Sequence, residues 1–347
     1  MAFASYIHRT CTGAAELRVR AKRGAPLSLG PVLGLLTIVL LLLPAIPASG
    51  KQGASFQYPL ANFAGPVRSQ WARLAVDPER NEVYALNPRA NDVRIFDQHG
   101  MEVFAFPGFV SSRDIAAGDE GDILILTKRY KTVVIHRCNY RGEKIAEITL
   151  KNVPEAFSEV APDRLVYRHG LLYLVDSGLL TVIVAEADGS FIRGHDLEAL
   201  LLELAEADED AEEAEDEVQR LETELTGFDV DADGNFLFTV ATLFTAYRLS
   251  PEGVLVGFGR AGSGKGKFGI AAGISVADSG HVLIADRLRC VVLIFNPDLS
   301  FKAEFGYRGG HRSNLIAPDD VASDANGNIY VSQAASLGVS VFRMVDD

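Results

Sequence analysis

"GHVLIADRLRCVVLIFNPDLSFKAEFGYRGG", residues 280–310, contains three apolar runs separated by short polar links. "VLIAD" and "VVLIF" are rich in β-branched residues, while "NPDLS" and "GYRGG" are turn-forming. Short strands joined by tight turns have this pattern, and helices do not. Working outward, the same shape recurs along the chain. "ISVADSGHVLIAD" precedes "VVLIFNPDLS", just as "LAVDPERNEVYALN" precedes "DVRIFDQHG" and "VASDANGNIYVSQ" precedes "VSVFRMVDD". The second strand of each unit is predicted to begin at Val83, Ile123, Leu171, Phe236, Val282 and Ile329, in steps of 40, 48, 65, 46 and 47 residues. A repeat of about 45 residues built only of strands and turns cannot bury its apolar surface alone. Six such units predict an all-β fold, a six-bladed β-propeller with four strands per blade.

"GRAGSGKGKFG", residues 259–269, invites another reading. Gly259, Gly264 and Lys265 fit the first seven positions of a phosphate loop, but Gly266 stands where a Ser or Thr hydroxyl must hold the magnesium ion. A phosphate loop also opens a helix, and here the chain continues as strands. "FGYRGGHRSNL" (305–315) and, more loosely, "NFAGPVRSQW" (62–71) occupy the same place between units. The stretch is therefore predicted to be an inter-blade connection. Its glycines turn the chain without a Cβ penalty, and its closing aromatic plugs between blades.

The fifth unit, quoted first, and "GNIYVSQ…VSVFRM" in the sixth resemble NHL repeats, a family of six-bladed propellers. The resemblance spans residues 56–347 and is sharpest in the fifth unit. It implies a binding or scaffold module. The sixth unit is one strand short, and "FQYPLANFAGP" (56–66) is expected to supply it, closing a domain over 51–347.

The chain has 347 residues, 48% of them hydrophobic, enough for a full core. Its net charge of −13 excludes the basic footprint of a nucleic-acid binder. Residues 1–50 read as a signal peptide or membrane anchor: Arg9, Arg18, Arg20, Lys22 and Arg23 precede the uncharged stretch 24–50, with "VLGLLTIVLLLL" and then "PAIPASG". The body is thus expected to be exported, periplasmic or extracellular, and to meet a membrane only through this segment. Of three cysteines, Cys11 lies in the leader and Cys138 and Cys290 in the body, so no disulfide framework is expected.

The long repeat step holds an acidic insertion. Residues 196–224 carry fourteen Asp or Glu against Arg220 alone, a net −13, so the remainder is close to neutral. Leu197, Leu200, Leu204, Ala207, Ala211, Ala214, Val218, Leu221 and Leu225 recur at alternating steps of three and four, a heptad seam. Asp196 is predicted to cap this helix and Gly227 to end it. The Ala-only middle and the self-repelling "EADEDAEEAEDE" leave one helix or a hairpin of two open. The insertion is expected between the third and fourth blades, as a solvated excursion or as a docking helix for a basic partner.

Candidates for chemistry are few. The histidines form no cluster with zinc-ligand spacing. "DVDADGN" (229–235) matches half of a calcium loop, but Val240 stands where the twelfth-position Glu is needed. One constellation remains. Arg73, Arg113, Asp114, Asp163, Arg164, Asp319 and Asp320 enter the innermost strands at matching places, which should bring them to the mouth of the central channel. In lactonases of the SMP-30 type, which are also six-bladed, that region holds a divalent metal. Three arginines are available to pair with the carboxylates, so no metal and no cofactor is expected. The sequence thus predicts a non-enzymatic module for a protein partner or small ligand, with a metal-dependent hydrolase or lyase as the alternative.

Overall fold

The structure, a computed structural model, describes residues 53–206, 223–309 and 311–345. The leader predicted over 1–50 and the seam residues Val218 and Leu221 lie outside the described residues. Among the described residues no helix is long and apolar enough to cross a membrane.

Six four-stranded antiparallel sheets form the blades of a propeller. Their inner strands are Arg73–Asp77, Ser112–Ala117, Arg164–Arg168, Leu225–Val230, Ala271–Val276 and Asp320–Ser323. The second strands begin at Glu82, Ile123, Leu171, Phe236, Val282 and Asn328, each within one residue of the position read from the repeat. In the sixth blade the fourth strand is Ala54–Pro59, paired with Val339–Met344 so that Ala54 faces Met344 and Pro59 faces Ser340. The strand is shorter than the stretch 56–66. Past Pro59, Ala61–Asn62 and Gly65–Pro66 turn away as a hairpin of their own.

The inner strands all begin at one face of the propeller, the upper face. Because neighbours run antiparallel, the turns between second and third strands and the connections between blades share that face. The turns between first and second strands lie on the lower face.

The core is six wedges rather than one mass. Each joins two neighbouring blades, from the first and second (Tyr84, Leu86, Ile125) round to the sixth and first (Val83, Tyr330, Val341). Second and third strands are therefore covered on both sides. Every residue of Val282–Asp286 and Val291–Phe295 is buried, at about 1.5–3 kcal/mol for each large apolar side chain. This is why these runs are continuously apolar and not alternating.

The connection 259–269 leads into the strand Ala271–Val276, not a helix. Phe268 is fully buried in the wedge between fourth and fifth blades. Gly259 has φ +75°, and a Cβ there would meet the Phe268 ring at 2.2 Å. Asp286, at the end of a second strand, accepts from the N–H groups of Gly269 (2.6 Å) and Arg289 (2.8 Å) and so ties this connection to the neighbouring turn.

The insertion begins as a helix, Leu197–Glu206, whose Ala199 N–H is capped by Asp196 Oδ1 at 3.1 Å. Two parts of the seam are corrected. Leu197 and Leu201 are the buried pair, with Leu200 beside them, while Leu204 faces solvent. Leu225 is no helix residue: it opens the fourth inner strand, is fully buried, and donates its N–H to Ser177 O at 3.0 Å. Gly227 likewise belongs to that strand, where a Cβ would meet Ala272 O at 2.3 Å. Apolar spacing ran on unbroken because the strand happens to begin in phase with the heptad.

Candidate functional site

The inner strands surround a channel, and three aspartates around it each bind the adjacent blade. Asp114 Oδ1 accepts from its own neighbour Ile115 N–H (3.0 Å), and Oδ2 from Leu165 N–H in the third blade (2.9 Å). Asp320 does the same with Val321 N–H (3.1 Å) and, in the first blade, Leu74 N–H (2.9 Å). Asp229 completes the set with Val230 N–H and, in the fifth blade, Val276 N–H, both at 2.8 Å. Blades two, four and six thus clasp blades three, five and one. Charged acceptors on backbone donors are worth about 1.5–3 kcal/mol each, so the clasps are structural bonds at alternate interfaces. In each clasped blade the residue before the bound N–H is Arg164, Ser275 or Arg73.

The sequence placed seven residues at this mouth. The structure gathers Arg73, Asp114, Arg164, Asp319 and Asp320. Asp319, 3% exposed, lies 3.6 Å from Arg73 Nη1 and also pairs with Arg287. Asp163 is turned to its own blade, where Oδ1 accepts from Ser177 N–H (3.1 Å) and Ser177 Oγ–H (2.8 Å). Arg113 is a correction: it is exposed, while Ser112 and Asp114 on either side are buried. Successive side chains of a strand lie on opposite sides, so Arg113 and Asp114 do not share a face, and the ladder also shifts register between Ser112 and Asp114. Two members were missed. Arg287 comes from a turn in the fifth blade. Asp229 was hidden in a turn-like "DVDADGN", although each clasp carries a legible mark, an Asp followed by Ile or Val.

Burial dominates the electrostatics. It raises the Asp114 carboxyl despite Arg73 and Arg164, and the Asp229 carboxyl despite Arg168. Asp320 is pushed up to about 6 by burial, against the pull of Arg73 and with help from the Asp114 charge. Burial and the Arg73 charge lower Arg164. For Arg73, burial opposes the charge, but Asp320, Asp114, Asp319 and Asp163 together raise it.

Below the clasps a cavity of about 410 Å³ follows the inner strands towards the lower face. Arg164, Arg168 and the clasp aspartates line it, and the exposed Glu79, Asp119 and Asp278 stand at its lower end. It is a polar channel with an acidic rim. Among the described residues no three His, Cys, Asp or Glu side chains are grouped to hold a metal ion.

No family model matches the chain, and neither does any curated protein. Solved structures do. A protein of unknown function from Bacteroides thetaiotaomicron aligns with a TM-score of 0.60 at 14% identity, covering 85% of this chain and 77% of its own. A gluconolactonase from Xanthomonas campestris aligns at 0.56 and 10% identity, covering 85% and 95%. A catalytically inactive virginiamycin B lyase from Staphylococcus aureus, with quinupristin, aligns at 0.51 and 13%, covering 81% and 83%. At these identities the likeness is one of fold, the six-bladed propeller.

Proposed function

We propose that the chain is an NHL-type binding propeller, exported to the cell envelope, that holds a protein partner or small ligand and performs no chemistry in its channel. The observation that carries this reading is the commitment of the channel carboxylates. Asp114, Asp229 and Asp320 each spend both oxygens on backbone N–H groups, and Asp319 is paired with arginines. A carboxylate bound in this way is a poor metal ligand and a poor proton carrier. The leader pattern supports export, and the acidic insertion suits a basic partner. Elemental analysis of the purified protein, with melting in chelator, tests the reading. The expected result is no stoichiometric divalent ion and no change in melting. A stoichiometric ion that is lost, together with stability, in Asp114→Asn would replace it.

The second reading is a hydrolase or lyase. It is favoured by the cavity on the axis and by Asp320, whose pKa of about 6 suits acid–base work near neutral pH. Two of the structural neighbours are named as such enzymes. Turnover of gluconolactone or of virginiamycin B, abolished in Asp320→Asn, would establish it.

A further inference from the structure

The upper face breaks the grammar of turns. In blades two to six the turn between second and third strands exposes a large apolar side chain: Tyr130, Leu179, Phe244, Leu288 and Leu337. Tyr130 is 89% and Leu288 64% exposed. In the first blade that turn is polar, and the connection contributes Trp71 instead. Among the described residues the lower-face turns expose fewer large apolar residues: none between first and second strands, and Tyr140 and Val254 between third and fourth strands. They carry the Asp, Asn and Gly that turns favour. Tyr130 and Phe244 also hold φ of +57° and +52°, where Asn or Gly would sit with less strain. Neither exposure nor backbone conformation helps the fold here, and such features point to binding.

Between the fourth and fifth blades this face opens into a cleft of about 820 Å³. Its sides are Phe244, Leu288 and Tyr307, and the backbone of Gly262 and Gly264 forms one edge. Its Arg289, Glu304 and Tyr307 already satisfy one another. Arg289 Nη2 reaches both Glu304 oxygens at 2.9 Å, and Tyr307 Oη–H donates to Glu304 at 3.3 Å. The interior therefore asks for an apolar group, while the rim asks for an acidic one. Arg260, Lys265, Lys267, Arg308 and Arg312 lie on the two connections flanking the cleft, and the stretches 259–269 and 307–316 contain no Asp or Glu. Among the described residues none of these five side chains makes an ion pair.

We propose that this cleft docks an acidic polypeptide segment that seats one aromatic or branched aliphatic side chain between Phe244 and Leu288. The proposal deepens the binding reading and rests on it. A bilayer fits less well. It would have to cover the whole upper face, including the root of an insertion with net charge −13, whereas a short segment touches only the basic side.

The test is selection from a phage-displayed random peptide library on the wild-type protein. Selected peptides are then titrated by fluorescence anisotropy against wild type, Phe244→Asn, Leu288→Ser and the double reversal Lys265→Glu/Lys267→Glu. Peptides with a Trp, Phe or Leu flanked by Asp or Glu are expected. Affinity should fall about tenfold in each variant, with unfolding midpoints unchanged. Selected peptides without acidic bias, or peptides that bind all variants alike, overturn the cleft while the binding reading stands. Tighter binding of phosphatidylglycerol vesicles, lost in Leu288→Ser, overturns it in favour of a bilayer. Tighter binding of a synthetic peptide of residues 207–222 makes the occupant this chain itself and overturns the external partner. Metal-dependent turnover in the assays above overturns the binding reading itself.

Discussion

Asp320 offers a quantitative check on the electrostatics of the clasps. Its carboxyl is held at about 6 in the folded chain, above the value of about 3.9 expected when unfolded. The folded state therefore binds the proton more tightly. The stability this contributes is fully present below the unfolded pKa and is lost as pH rises through the folded pKa. The whole effect is about 3 kcal/mol, and between pH 5 and 7.5 about 1.4 kcal/mol of it is lost. For a domain of this size that is roughly 2 °C in Tm. Asp114 and Asp229 are raised too and act in the same direction. The exposed Asp188, held at about 2 mainly by its bond to Ser190, acts the other way at lower pH. The Asp188 and Asp229 contributions are common to wild type and Asp320→Asn, while Asp114 is coupled to Asp320 by its charge and through Arg73, so the comparison reads Asp320 together with that coupling. Urea unfolding of both proteins should be measured at pH 5 and 7.5. Wild type should lose about 1.4 kcal/mol more than the variant over that interval. The variant also loses an acceptor for Leu74 N–H, so it should be the less stable protein at pH 5, with the gap narrowing at pH 7.5. Equal pH slopes, or a steeper slope in the variant, would show that Asp320 is not held near 6.

Other outcomes follow from particular contacts. Edman sequencing of the protein recovered from the cell envelope or medium should start near Lys51, and residues 1–50 found intact there would make them an anchor. Leu201→Ala should cost about 2–4 kcal/mol, because Leu201 fills the wedge between third and fourth blades. Joining Glu206 to Thr223 by a short linker should cost far less by the same urea assay. Gly259→Ala should destabilise by about 1–3 kcal/mol, since the added Cβ meets Phe268 at 2.2 Å in a left-handed conformation. A neutral result there would mean that the connection can move.

The fold was legible because its signal is repeated. Six copies of strand, turn and strand located the second strands to within a residue, and the role of Phe268 as a plug could be read from the matching connections. The site was less legible because its logic runs between repeats. Asp114 and Asp320 were found as carboxylates at a mouth, but their partners are backbone N–H groups, which no side-chain pattern announces. Asp229 was lost to a turn motif that begins on the same residue. Arg113 was misplaced because it is the neighbour of Asp114 in a strand, and adjacent strand side chains lie on opposite sides. Leu225 was misassigned because periodicity does not say where a helix stops when the next strand is also apolar.

The clasps also bear on where function can reside. A propeller needs its inner strands held together, and here that is done by buried charge at alternate interfaces instead of by apolar contact alone. Removing any clasp aspartate leaves two neighbouring N–H groups without their acceptor. The channel is thus the part of the molecule least free to vary with a ligand. The upper-face turns are under no such constraint: Tyr130, Leu179, Phe244, Leu288 and Leu337 could each be Asn or Gly at no loss to the wedges. Apolar residues exposed where the fold gains nothing from them are accounted for, under the proposal above, by what they would touch in a complex. This is why the cleft beside Phe244, and not the channel, is where the first binding variants belong.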